Sequence, residues 1–149
     1  MVTDPWEFWT SINSPKYVLA PMVNQSELAF RMLCRKYGVQ LAYTPMLHSR
    51  IFSTDSSYRQ TSFQTCNEDL PLVAQFCGNE VDTITRAVDY LDSSVAAVDI
   101  NLGCPQTISQ YKARKVVLKL QDRRKGEPYY KKLGWYNRYR PILTSETVY

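Results

Sequence analysis

Four short apolar runs, residues 17–20, 39–43, 72–77 and 95–101, end at or near Pro21, Pro45, Gln75 and Asn101, positions separated by 24, 30 and 26 residues. Intervals of this length suit successive strand–helix units of a parallel sheet, in which right-handed crossovers bring all the strand ends to one rim. Four such units make half of an α/β barrel. A chain of 149 residues is too short for a whole one, which typically takes about 250.

The connecting segments carry the matching helix signals. After the first run, Asn24 or Ser26 can cap and Glu27 favours the positive helix end. Phe30, Leu33, Cys34 and Tyr37 then recur at helical spacing and Gly38 ends the run, which predicts a core-facing stripe that includes Cys34. After the third run, Asn79 caps a helix with Val81, Ile84, Val88 and Leu91 on one face, and Asp92-Ser93-Ser94 closes it. Between the second and third runs, residues 51–67 are polar and rich in Ser, Thr and Gln, which reads as a long loop with one helical turn. His48 opens that loop and reads as a solvated residue. The first 16 residues, with Trp6, Phe8, Trp9 and Pro15, read as an irregular arm laid across a surface.

Two strands hold residues that are out of place in a simple core. Gln75 lies in the middle of Leu-Val-Ala-Gln-Phe-Cys, and a glutamine there must have its amide paired or cost about 1–3 kcal/mol. The partner is either a neighbouring backbone group or a ligand edge that both donates and accepts, as a flavin ring does. In the fourth run Val98, Ile100 and Leu102 alternate with Asp99 and Asn101, and Gly103-Cys104-Pro105 stops the strand. Cys104 is therefore either a buried thiol beside a turn or a reactive group, because ligands gather at the carboxyl ends of parallel strands. Cys77 reads as core.

Composition narrows the class. The chain is 44% hydrophobic and 21% charged, which is ordinary for a globular domain. Its four cysteines show no CxxC pairing and His48 is the only histidine, so neither a zinc site nor a disulfide framework is expected, and reduced, intracellular thiols fit best. No apolar run is long enough to span a bilayer and the first residues lack a basic-then-apolar signal, so neither a metal nor a membrane is expected as a partner. Residues 1–106 hold 7 Lys+Arg and 11 Asp+Glu, against 11 and 3 in residues 107–149, a split of −4 and +8. Lysines and arginines interleaved with Trp135, Tyr136 and Tyr139 could bind RNA through phosphates and stacking, or form a solvated basic tail. No strand–helix rhythm continues there.

From about residue 17 to 106 the sequence resembles the tRNA-dihydrouridine synthases, most closely their eukaryotic type one branch, which acts on uridines sixteen and seventeen of the D-loop. The resemblance rests on four motifs in order: Ala20-Pro21-Met22-Val23-Asn24-Gln25-Ser26-Glu27, Tyr43-Thr44-Pro45-Met46-Leu47-His48, Pro71-Leu72-Val73-Ala74-Gln75-Phe76-Cys77, and Asp99-Ile100-Asn101-Leu102-Gly103-Cys104-Pro105-Gln106. It implies the N-terminal half, about four βα units, of a TIM-type (β/α)8 barrel that binds FMN, in three parts: an arm at 1–16, the partial synthase domain at 17–106 and a divergent basic tail at 107–149. It further implies an oxidoreductase that reduces uridine in the tRNA D-loop to 5,6-dihydrouridine with FMN and NADPH, in the cytoplasm or nucleus. Pro21, Met22 and Val23 would lie against the FMN ring, Gln75 would bond its polar edge, and Asn101 would keep flavin and uracil in register. Cys104 would be the proton donor, a role that suits a thiol of reference pKa about 8.5.

The family's later strands, with their lysine, histidine and phosphate-binding turns, are not recognisable after Gln106. The chain alone is therefore expected to be catalytically impaired. Two alternatives stand beside that reading: a non-catalytic RNA-binding module using the basic tail, and an inactive truncated product.

Overall fold

In the computed structural model of the chain, residues 5–91, 95–101 and 142–145 are described. In order they form α1 (Pro5–Ser11), β1 (Val18–Leu19), α2 (Leu28–Lys36), β2 (Leu41–Tyr43), β3 (Leu47–His48), α3 (Ser49–Thr54) and α4 (Ser56–Ser62). A 3-10 turn (Asn67–Asp69), β4 (Leu72–Cys77), α5 (Val81–Asp89), β5 (Ala97–Asn101) and β6 (Ile142–Ser145) follow. The sheet order is β1-β2-β4-β5-β6 with β3 beside β4, and every pairing is parallel. Helices cross between β1 and β2, between β3 and β4, and between β4 and β5. The architecture is α/β, and it is that of the N-terminal part of a barrel.

Pleating divides the core between the two sheet faces. Leu72, Ala74 and Phe76 of β4 pack on the helical side with Phe52 of α3 and Ile84 and Val88 of α5. Val73 faces the other way and joins Leu41 and Ala97, against which Phe8, Trp9 and Ile12 pack. All six residues of β4 are buried, as expected for a parallel strand covered on both faces. Phe52 meets Phe76, Phe63 and Tyr58 edge-on at 5.2, 6.0 and 6.4 Å, and so binds the α3–α4 segment to the sheet.

The α2 helix ends as its sequence predicts. Gly38 has φ +95, and its N–H donates to Arg35 O while that of Val39 reaches Cys34 O. This is a Schellman ending, which needs a left-handed residue.

Other expectations are corrected. The stripe on α2 does not face the core: Phe30, Leu33 and Tyr37 are 39%, 48% and 85% exposed. Arg31 is the buried residue of that helix, because its guanidinium is bonded on the opposite side to Asp69 and two carbonyls. Cys34 is half-buried. Glu27 and Glu80, not Asn24, Ser26 or Asn79, precede the helices, and neither side chain caps.

Residues 5–11 of the arm are helical, since proline suits the first helical position and Phe8, Trp9 and Ile12 give the helix a face to bury. Residues 51–67 hold most of two helices, not a loop with one turn. Asp55 starts the second by accepting from the N–H groups of Ser57 and Tyr58 at 2.8 and 3.2 Å. One strand is described in the tail: β6 runs parallel to β5 with Ile142 opposite Val98, from a short Ile-Leu-Thr run of high strand propensity. The predicted helix end at 92–94, the turn at 103–105 and the tail at 107–141 lie outside the described residues.

Candidate active site

Because residues two apart on a strand share a face, the alternation that puts Val73 and Ala97 on the inner face also puts Gln75, Asp99 and Asn101 there. Register then joins them, since Gln75 lies opposite Asp99 on the neighbouring strand. Gln75 Nε2 donates to Asp99 Oδ2 at 2.6 Å, and Asn101 Nδ2 donates to Gln75 Oε1 at 3.4 Å. An ionised carboxylate only accepts, so Asp99 fixes which way the Gln75 amide points. Gln75 is 2% and Asp99 1% exposed, near the middle of their strands.

Thr44, the residue after β2, ties in the backbone. Its Oγ1 accepts from Gln75 N–H at 3.0 Å and donates to Pro45 O at 2.9 Å. Tyr43 joins electrostatically: burial first, and then the negative charge of Asp99, push its phenol above its usual pKa. The proton therefore stays on Tyr43.

The first motif sits at the end of β1 and is closed by its own serine. Ser26, fully buried, accepts from Met22 N–H at 2.9 Å and donates back to Met22 O at 3.0 Å. Asn24 takes φ 56 in the turn between them, a left-handed conformation that asparagine tolerates. Pro21 and Met22 are half-buried and Val23 is exposed. With the Met22 main chain engaged internally, its side chain is what it offers a ligand.

Behind the turn, Arg31 Nη1 donates to Ser26 O at 2.7 Å, and the same guanidinium reaches Asp69 Oδ2 through Nε at 2.9 Å and Nη2 at 2.6 Å. Arg35 adds bonds to Asp69 Oδ1 at 3.2 Å and Asp69 O at 2.6 Å. A continuous chain of bonds thus runs from Asp69 through Arg31 and Ser26 to Met22.

Of the residues predicted from sequence, the structure joins Gln75 and Asn101 in one network and holds Pro21, Met22 and Val23 in a separate, braced turn. Cys104 lies outside the described residues. The sequence reading missed Asp99, Thr44, Tyr43 and Ser26 as members of the site. Asp99 had a visible signal, its two-residue offset from Asn101. Ser26, read as a helix cap, gave none.

A flavin ring presents N–H and carbonyl groups along one edge, and the site fits such a group. Gln75 uses one donor and one acceptor position internally, which leaves one of each. Among the described residues no group of three His, Cys, Asp or Glu could hold a metal ion, and no helix is long and apolar enough to cross a membrane.

Comparison with known proteins shows a family. The family model for dihydrouridine synthase (Dus) matches residues 18–114. The chain is 44% identical over 108 residues to a tRNA-dihydrouridine(16/17) synthase [NAD(P)(+)]-like protein of Rattus norvegicus, covering 70% of this chain and 25% of the relative. It is 45% identical over 107 residues to the tRNA-dihydrouridine(16/17) synthase [NAD(P)(+)] of Saccharomyces cerevisiae, again covering 70% and 25%. Against a human tRNA-dihydrouridine(20a/20b) synthase [NAD(P)+]-like protein, identity is 41% over 103 residues, covering 69% and 32%. The chain spans about a quarter of the length of the first two.

Proposed function

The chain belongs to the dihydrouridine synthase family, in its 16/17 branch, and matches the N-terminal part of its relatives; from that premise we propose that it carries the flavin-ring side of an FMN-dependent tRNA-uridine reductase. The reaction is reduction of uridine in the tRNA D-loop to 5,6-dihydrouridine with NADPH as electron donor. The observation that carries this reading is the Gln75–Asp99–Asn101 network, in which the remaining donor and acceptor of Gln75 match the polar edge of the ring.

FMN, when bound, supplies the hydride chemistry that no side chain can. The protein's part is placement and one proton. Gln75, held in one orientation by Asp99, bonds the ring edge, and Asn101 helps to hold ring and base in register. Pro21, Met22 and Val23 give packing surface, stiffened by the bonds of Ser26 and Arg31. Cys104 keeps a proton at its thiol at neutral pH and gives it to C5 of the base, because a thiol is protonated there yet acidic enough to release it.

The test is flavin binding followed by reduction. Purified chain is titrated with FMN and flavin fluorescence is followed, in wild type and Gln75→Ala. Saturable quenching weakened by the substitution supports the reading, and absence of binding overturns it. Cys104→Ala is expected to abolish dihydrouridine formation while leaving flavin binding intact. Unchanged product formation would remove Cys104 from its role.

A further inference from the structure

The sequence reads His48 as a solvated loop residue in preference to a functional one, but the structure places it in a strand. Leu47 and His48 form β3, parallel to the end of β4, with Leu47 opposite Phe76 and His48 opposite Cys77. Leu47 and Phe76 both lie in the core on the helical side. Pleating therefore turns His48 to the opposite face, the one that carries Gln75 two residues before Cys77.

The residue is held firmly there. Its N–H donates to Tyr58 Oη at 3.1 Å, and Tyr58 lies edge-on to buried Phe52. Gly78, next to Cys77, approaches so closely that a Cβ on it would stand 2.0 Å from Ser49 Oγ. The junction of β3 and α3 is thereby seated on the end of β4.

The side chain contrasts with this ordered backbone. His48 as a whole is only half-buried, yet its Nδ1 is buried without a hydrogen-bond partner among the described residues. A nucleotide cannot reach a fully buried atom, so the ring meets a ligand through Nε2, which is not among the buried atoms.

We propose that His48 is a substrate-binding residue at the rim of the site, its imidazole bonding an oxygen acceptor of the nucleotide that enters over Gln75 and Asn101. The assignment rests on the flavoprotein reading above. It gives the site a contact to RNA that is separate from the residues facing the ring, and one that needs no charge, since a neutral imidazole donates from one nitrogen.

The test uses the full chain with FMN added, and a D-arm oligoribonucleotide containing uridine, alongside uridine 5′-monophosphate and free uridine as smaller probes. Dissociation constants for RNA and for FMN are measured in wild type, His48→Ala and His48→Asn, with urea midpoints as a control on folding. His48→Ala is expected to weaken RNA binding about tenfold, the worth of one hydrogen bond, with FMN affinity and urea midpoint unchanged. His48→Asn, which keeps a donor, recovers part of the loss. A loss seen with the monophosphate and not with uridine identifies phosphate oxygen as the acceptor, and a loss with both identifies the nucleoside.

RNA affinity unchanged in His48→Ala, with FMN still bound, overturns the assignment and leaves the flavin reading standing. Parallel losses of FMN affinity and of the urea midpoint also overturn it, by making His48 structural. Failure of the wild-type chain to bind FMN overturns the reading and the assignment together.

Discussion

Asp69→Ala is the substitution whose effect the structure fixes most closely. Asp69 is fully buried and receives Arg31 through two nitrogens, Arg35 through Nε at 3.2 Å and Thr65 Oγ1 at 3.3 Å. Truncation leaves Arg31, itself 1% exposed, with only the carbonyls of Ser26 and Gln64 as partners. A guanidinium stranded in that way costs about 3–5 kcal/mol. With a urea dependence of about 2 kcal/mol per molar, the denaturation midpoint should fall by roughly 2 M.

The second half of the cycle separates charge from packing. Arg31→Met with Asp69→Ala removes both ions, so it should cost less than the sum of the two single changes, with a coupling of about 1–3 kcal/mol. Circular dichroism in urea reads each stability. Amide exchange at Met22 and Ser26 reads whether the first motif loosens when the clasp behind it is gone. A loss below about 1 kcal/mol for Asp69→Ala, or strict additivity in the cycle, would refute the view that this pair holds the turn.

Three further outcomes follow from the same geometry. Asp99→Leu removes the acceptor that orients Gln75, and FMN affinity should fall about tenfold, the worth of one hydrogen bond; flavin titration checks it. The phenol of Tyr43 has a pKa raised above its ordinary value of 10.0 by burial and then by Asp99. The folded state therefore keeps this proton at pH values where the unfolded chain has lost it, so stability is intact below pH 10 and declines as pH rises through the folded value; urea midpoints against pH should decline less in Tyr43→Phe. Phe52→Ala removes the ring that Phe76, Phe63 and Tyr58 all meet and should cost about 3–5 kcal/mol, with exchange protection lost first across α3 and α4.

The periodic part of the fold was legible because its determinants are local. Apolar runs at βα spacing predict parallel strands, and four of the six strands among the described residues lie within the predicted runs. What was hidden depends on partners far along the chain. The stripe of Phe30, Leu33 and Tyr37 has the spacing of a core face, but spacing cannot say that Arg31 will bury itself against a carboxylate 38 residues away. Residues 51–67 look like loop by composition because the helices there are short and bury only part of their length; Asp55 and Phe52, a cap and an anchor, were the local signs. A two-residue strand such as β3 has no periodicity to read.

The candidate site divides along the same line. Gln75 stood out in sequence because an amide in an apolar strand demands a partner, and the reading allowed a backbone group or a ligand. The structure supplies a third answer, two side chains from β5. A glutamine satisfied internally would ordinarily argue against a binding role. Here it argues for one, because a carboxylate on one side fixes the amide without using up its capacity, which leaves a donor and an acceptor in a set direction. Preorganisation of this kind depends on strand register, Gln75 opposite Asp99, and register is a property of two strands that neither reveals alone.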